Sequence, residues 1–147
     1  MSTARTRTTR VSCSGWRRAR RLREGAGSSL LEHACHLRDL DTVFVERFSA
    51  VRKVQLPEIA SVDGTALAEA RAYLRQDLVT AMGEFSEGRR RLCASRKRLT
   101  PEQRLRCGLR DGVRRMTLEE LVRELLGHDR THGLELEELE SELQEKA

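Results

Sequence analysis

The sequence predicts an all-α protein, an up-and-down bundle of three long helices plus a short one. Three observations predict it. Apolar residues recur at three- and four-residue spacing in three separate segments. Capping-box pairs open three of the helical segments: Ser29 with Glu32, Thr100 with Gln103, and Thr117 with Glu120. Leu, Ala, Arg and Glu dominate, with charged residues at 35% and aromatic residues at 3%, a composition typical of helical chains. No segment alternates apolar and polar residues in the manner of a strand.

The 147 residues suit one domain with a core of its own. Residues 1–27 read as an Arg-rich tail, expected to be disordered, since they lack a sustained helical period. A first helix begins at Ser29 and runs to about residue 51, with Leu30, Ala34, Leu37, Phe44 and Phe48 on one face. Pro57 and the stretch Ser61-Val62-Asp63-Gly64 mark a loop. A second long helix is expected over 65–95, carried by Ala66, Ala70, Leu74, Leu78, Ala81, Phe85 and Leu92. Pro101 opens a short helix at its favoured first position, and Gly108 and Gly112 end that helix in a turn. The last helix starts at Thr117 and continues to near the C-terminus, with residues 28–147 forming the helical domain.

Charge argues against one class of function for the helical part. The net charge is +5. Residues 1–24 hold eight Arg and one Glu, so they carry +7. What remains, 20 basic and 22 acidic residues over 25–147, is slightly acidic and has no general attraction for phosphates. Nucleic acid is therefore not an expected partner, except through the tail. There is no apolar run long enough for a membrane span or a secretory signal. The four cysteines, Cys13, Cys35, Cys93 and Cys107, include no C-x-x-C pair. Free thiols in the cytoplasm are the expectation. Three Lys among 28 basic residues is the bias of a GC-rich, bacterial coding sequence.

The chemistry concentrates in four histidines: His33, His36, His128 and His132. In the last helix Leu118, Leu121, Leu125, His128, His132, Leu136, Leu139 and Leu143 share one face. The two histidines occupy places where Leu would be expected. At i,i+4 both rings can reach one ion. Position 129 is Asp, so the general base of an H-E-x-x-H motif is absent. A third ligand would come from His33, nearer the centre of the first helix's stripe, or from His36 at its edge. Periodicity leaves both open.

The segment Cys35-His36-Leu37-Arg38-Asp39-Leu40-Asp41 resembles the "HLxD" motif of DinB-like (YfiT-like) bundle proteins. Met116-Thr117-Leu118-Glu119-Glu120-Leu121, followed by His128-Asp129-Arg130-Thr131-His132, is similar to the last helix of that family. Leu56-Pro57-Glu58 with Val62-Asp63, and Leu99-Thr100-Pro101-Glu102-Gln103, also resemble family segments. The likeness covers about residues 29–143. It implies a DinB-like helical bundle with a divalent metal, zinc or nickel, on His36, His128 and His132. It puts Asp39, Asp41 and Asp129 forward as partners that orient the imidazoles. The first helix of the family bundle looks atypical or missing. Trp16 lies far upstream of the matching place, which holds Gly27-Ser28-Ser29.

Some relatives in that family use such a site for transfer or isomerisation with a low-molecular-weight thiol. The resemblance therefore implies a thiol-dependent transferase or isomerase acting on a small molecule. The alternative is a non-enzymatic metal-binding or interaction protein whose bundle face forms a homodimer. Neither a catalytic base nor a cofactor-binding residue is identifiable from the sequence.

Overall fold

Ser29 starts the first helix as its spacing predicts. Its hydroxyl accepts from the Glu32 N–H at 3.3 Å, and the Glu32 carboxylate accepts from the Ser29 N–H at 2.8 Å. Two N–H groups that the first turn leaves without partners are thereby satisfied. In the computed structural model, which describes residues 28–145, helix α1 spans Leu30–Lys53. The expected tail, 1–27, lies outside the described residues.

After α1 come strand β1 (Glu58–Ile59), helix α2 (Gly64–Ala70), a 3₁₀ turn (Tyr73–Arg75) and helix α3 (Leu78–Lys97). Then follow the short helix α4 (Pro101–Arg104), strands β2 (Cys107–Arg110) and β3 (Arg114–Thr117), and helix α5 (Leu118–Glu145). The long helices α1, α3 and α5 are the three that the periodicity predicts, and α4 is the short one. Helix α1 lies against both α3 and α5. A core of Leu40, Phe44, Phe48, Leu92, Leu118, Leu121 and Leu125 fills the space among the three. A second cluster, Leu31, Ala34, Cys35, Tyr73, Leu78 and Ala81, packs at the other end of α1. No helix among the described residues is long and apolar enough to cross a membrane.

Two expectations need correction. The helix expected over 65–95 is broken. Ala72 adopts a left-handed conformation with φ 49°, and Asp77 caps a new helix by accepting from the Thr80 N–H at 2.9 Å. The break decides which side chain turns inward. Tyr73 is 2% exposed, whereas Leu74, placed on the apolar stripe by an unbroken helix, is 56% exposed. Burying an aromatic ring against Leu31 and Cys35 outweighs the helical bonds lost at one residue.

The second correction concerns Gly108 and Gly112, which belong to a small sheet rather than a helix end. β2 pairs antiparallel with β3 and parallel with β1. The two-residue strand β1 and the four-residue hairpin strands are too short to show a period of two. Asp111 and Gly112 supply left-handed φ of 50° and 71° at the turn. The Asp111 carboxylate also accepts from the Ser61 N–H at 2.6 Å, tying the hairpin to the segment after β1. Gly108 is needed for a different reason: a Cβ there would stand 2.2 Å from Ile59 Cδ1.

One polar contact joins all three long helices. Arg89 of α3 donates to Asp41 of α1 from Nε at 2.8 Å and from Nη2 at 2.7 Å. It also donates from Nη2 to Asp129 of α5 at 2.9 Å. Asp41 is 1% exposed. Burial pushes its carboxyl above the ordinary range, and the Arg89 guanidinium pulls the other way.

Two predictions follow from these contacts. Gly108→Ala forces Ile59 to move and destabilises the chain by about 1–3 kcal/mol in denaturant unfolding, as overpacking does elsewhere. Arg89→Met leaves Asp41 buried without its cation and costs about 3 kcal/mol, and adding Asp41→Asn recovers part of that loss.

Candidate metal centre

His36 sits on α1, one turn after His33. His128 and His132 sit on α5, beyond the buried positions Leu118, Leu121 and Leu125 that seat the helix on α1. The apolar stripe thus delivers both α5 histidines to the α1 face, as their spacing predicts. His36 Nε2 lies 3.1 Å from His128 Nε2, which lies 3.2 Å from His132 Nε2. The rings of His36 and His132 are 5.0 Å apart between centroids. Each of the three residues offers one nitrogen to a common point, within 4.8 Å of the other two.

The donor chemistry fits a cation. Neutral imidazoles each bring one N–H and one lone pair, so three nitrogens aimed at one another cannot all be satisfied by hydrogen bonds. Three imidazole nitrogens on a tetrahedral ion at about 2.0–2.1 Å would be about 3.3 Å apart, close to the observed spacing. The surroundings of His36 and His128 also disfavour the protonated form, which cannot ligate. Burial, and then the neighbouring His128, His132 and His33, pushes His36 down to about 4. Burial followed by His132 lowers His128 as well.

His33, the other candidate third ligand, faces elsewhere. It is 2% exposed, and its Nδ1 lies 2.9 Å from Nδ1 of His132, on the opposite side of that ring from the convergence point. Of the two residues that periodicity left open, His36 is the one that joins His128 and His132 at the Nε2 cluster.

The aspartates stand differently from expectation. Asp39 is buried, where it accepts from the Tyr73 hydroxyl at 3.0 Å and from Arg38 at 2.8 Å. Asp41 and Asp129 are held by Arg89. None of the three accepts from a histidine. Asp41 and Asp129 instead clamp α1 to α5 near His36 and His128. The carboxylate that does meet a ring of the triad is Glu135, whose Oε2 lies 3.1 Å from His132 Nδ1. Its i+3 spacing from His132 places it on the same helix face, a signal readable in the sequence. His128 Nδ1 is buried with no partner among the described residues.

An open pocket of about 560 Å³ lies beside the cluster, with His33, His36 and His132 on its floor and α2 and the 3₁₀ turn as a wall. The broken helix creates that wall. Gly64, the first residue of α2, crosses directly over His36; a Cβ there would stand 3.2 Å from His36 Cε1. Tyr73 lines the pocket while its hydroxyl is anchored to Asp39. Cys35 does not reach the pocket. It is 0% exposed, burial raises its thiol pKa, and its sulfur is directed at Gln76 at 3.6 Å.

Fold and cluster together define a helical-bundle protein with histidines converging from two helices beside an open pocket. A family model of the DinB superfamily matches residues 4–136, and the chain belongs to that superfamily. The match extends into the Arg-rich segment that the sequence reading sets aside as a tail. Among solved structures the chain is similar to YfiT from Bacillus subtilis, described as a probable metal-dependent hydrolase with an unusual four-helix bundle topology. That likeness has a TM-score of 0.73 at 23% identity and covers 80% of this chain and 68% of YfiT. It establishes the shared fold. No curated protein sequence matches.

The contact between Gly64 and His36 can be checked directly. Gly64→Val is expected to shift the His36 imidazole resonances in NMR spectra while far-UV circular dichroism stays unchanged. Unaltered resonances would contradict the close approach.

Proposed function

We propose that the chain binds one divalent metal ion through His36, His128 and His132 and acts as a metal-dependent enzyme on a small molecule. The convergence of three imidazole nitrogens from α1 and α5 carries this reading. Three histidines with a position left over form the donor set of catalytic sites, whereas closed structural sites fill all four places. Imidazole donors suit zinc and nickel alike. Such an ion supplies Lewis acidity, polarising a substrate or lowering the pKa of a water or thiol beside it.

The chain's own residues set the rest. His36 and His132 open onto the pocket, so a substrate approaches the cluster from the α2 side. Ala68, Ala72 and Leu74 offer apolar contact there, and Thr65, Glu69 and Arg75 offer polar contact. Cys35 does not serve the pocket, since it is sealed behind Tyr73 and Gln76 in the core. The open side of the pocket admits an attacking group from solution. With water the reaction is hydrolysis, the activity suggested for YfiT. With a low-molecular-weight thiol it is transfer or isomerisation, the reaction implied by the family motifs. The same pocket serves both.

The test is metal content and turnover together. The purified chain is expected to hold about one divalent ion. His36→Ala, His128→Ala and His132→Ala should each weaken binding by more than the roughly hundredfold that loss of an orienting partner can cost. Chelation should abolish turnover in a screen of small hydrolysable and thiol-reactive substrates. A chain that carries no ion and whose variants behave as wild type refutes the metal reading. An ion bound without turnover of any substrate leaves the non-enzymatic reading in place of the enzyme.

A further inference from the structure

We propose that Glu135 is a positioning residue whose carboxylate, beside the His132 Nδ1 that also meets His33, favours the proton on Nδ1 and so commits that ring to offering Nε2 at the triad. The inference rests on the metal reading above and concerns what makes one ligand ready for it.

His132 stands between two groups of side chains. On one side its Nε2 lies 3.2 Å from His128 Nε2, at the convergence point. On the other side its Nδ1 lies 3.1 Å from Glu135 Oε2 and 2.9 Å from His33 Nδ1. A neutral imidazole carries its proton on one nitrogen or the other, and the proton-bearing nitrogen cannot ligate a metal. A carboxylate at Nδ1 accepts and never donates, so it draws the proton to that side. His33 Nδ1, at hydrogen-bond distance on the same side, provides a second acceptor for the same N–H. His33 is then the tautomer with its own proton on Nε2.

The arrangement is specific to His132. The Nδ1 of His128 is buried without a partner among the described residues, and His36 Nδ1 lies against Gly64, where an added Cβ would stand 3.7 Å from it. Glu135 also adds negative charge to the far side of the ring, which raises the ring's basicity toward a metal. It can do so without contributing to the core, because its side chain is 48% exposed. His33, at 2% exposure, has the opposite character and fixes the angle of the His132 ring by packing edge-on to it at 76° between planes.

The experiment titrates the metal-free full chain with Co(II), comparing wild type with Glu135→Ala, Glu135→Gln, and Glu135→Ala combined with His33→Leu. Affinity is read by chelator competition and ligand geometry by the visible absorption of the bound ion. Circular dichroism melts of the metal-free proteins report folding. Glu135→Ala is expected to bind about tenfold more weakly with an altered absorption band, at an unchanged melting temperature. Glu135→Gln, whose amide oxygen can still accept, recovers most of the affinity. The double variant falls toward about a hundredfold loss.

Glu135→Ala binding within twofold of wild type with the same band overturns the inference. So does uptake of two ions per chain with the second lost in Glu135→Ala, because Nδ1 would then be coordinating and not donating. If the wild type itself takes up no Co(II), the metal reading falls and this inference falls with it. If the wild type binds and His128→Ala does not, the metal reading stands and Glu135→Ala decides the inference alone.

Discussion

Arg89 reaches from α3 to a carboxylate on each of the other two long helices, Asp41 on α1 and Asp129 on α5. Each of those carboxylates lies close in sequence to a histidine of the cluster: Asp129 follows His128 directly, and Asp41 lies just over one turn beyond His36. A shift of α5 along α1 by a single residue rise, about 1.5 Å, would break the ionic clamp and part the imidazoles together. Apolar packing of Leu118, Leu121 and Leu125 holds the helices together without direction. The clamp adds register, which hydrophobic contact lacks.

Register makes the cluster a constrained object. Three imidazole rings are brought nearly to contact with their Nε2 atoms toward one another, and neutral rings so placed cannot all be satisfied by the protons they carry. A cation removes the conflict, and a fully hydrogen-bonded core does not. The pocket follows from a second local conflict, at Ala72. The chain leaves the helical path there to bury Tyr73, and in doing so lays α2 over His36 at Gly64. The access route and the cluster thus have separate origins in the sequence, one in a broken helix and one in an unbroken stripe.

This division explains what the sequence made legible. Where helices are long, periodicity and caps suffice. Ser29, Thr100 and Thr117 start their helices where their side chains predict, and the α5 stripe carries His128 and His132 to the α1 face. Short elements carry too few residues for a period to show, so the sequence of β1, β2 and β3 suggests a loop, a helix end and a turn instead of a sheet. The break at Ala72 is tertiary in origin. Alanine favours helix, and the cost of leaving it is recovered only when Tyr73 meets Leu31 and Cys35 across the fold. At the cluster, periodicity leaves His33 and His36 both open, and the resemblance to the family motif points to His36, whose Nε2 meets that of His128. Sequence proximity points to Asp41 and Asp129 as partners of the histidines, because it does not show that Arg89, roughly 50 residues from Asp41 and 40 from Asp129, claims both. Glu135 stands in a visible i+3 relation to His132, which by itself does not distinguish it from the other acidic residues of α5.

The central claim is that the α1–α5 register builds a three-imidazole site on this member of the DinB superfamily. X-ray absorption at the metal edge of the loaded full chain tests it most directly. The account predicts a first shell of nitrogen and oxygen scatterers at about 2.0–2.1 Å, with the outer-shell pattern of three imidazole rings, reduced to two in His36→Ala. A shell containing sulfur at about 2.3 Å, or one with no imidazole pattern, would contradict it.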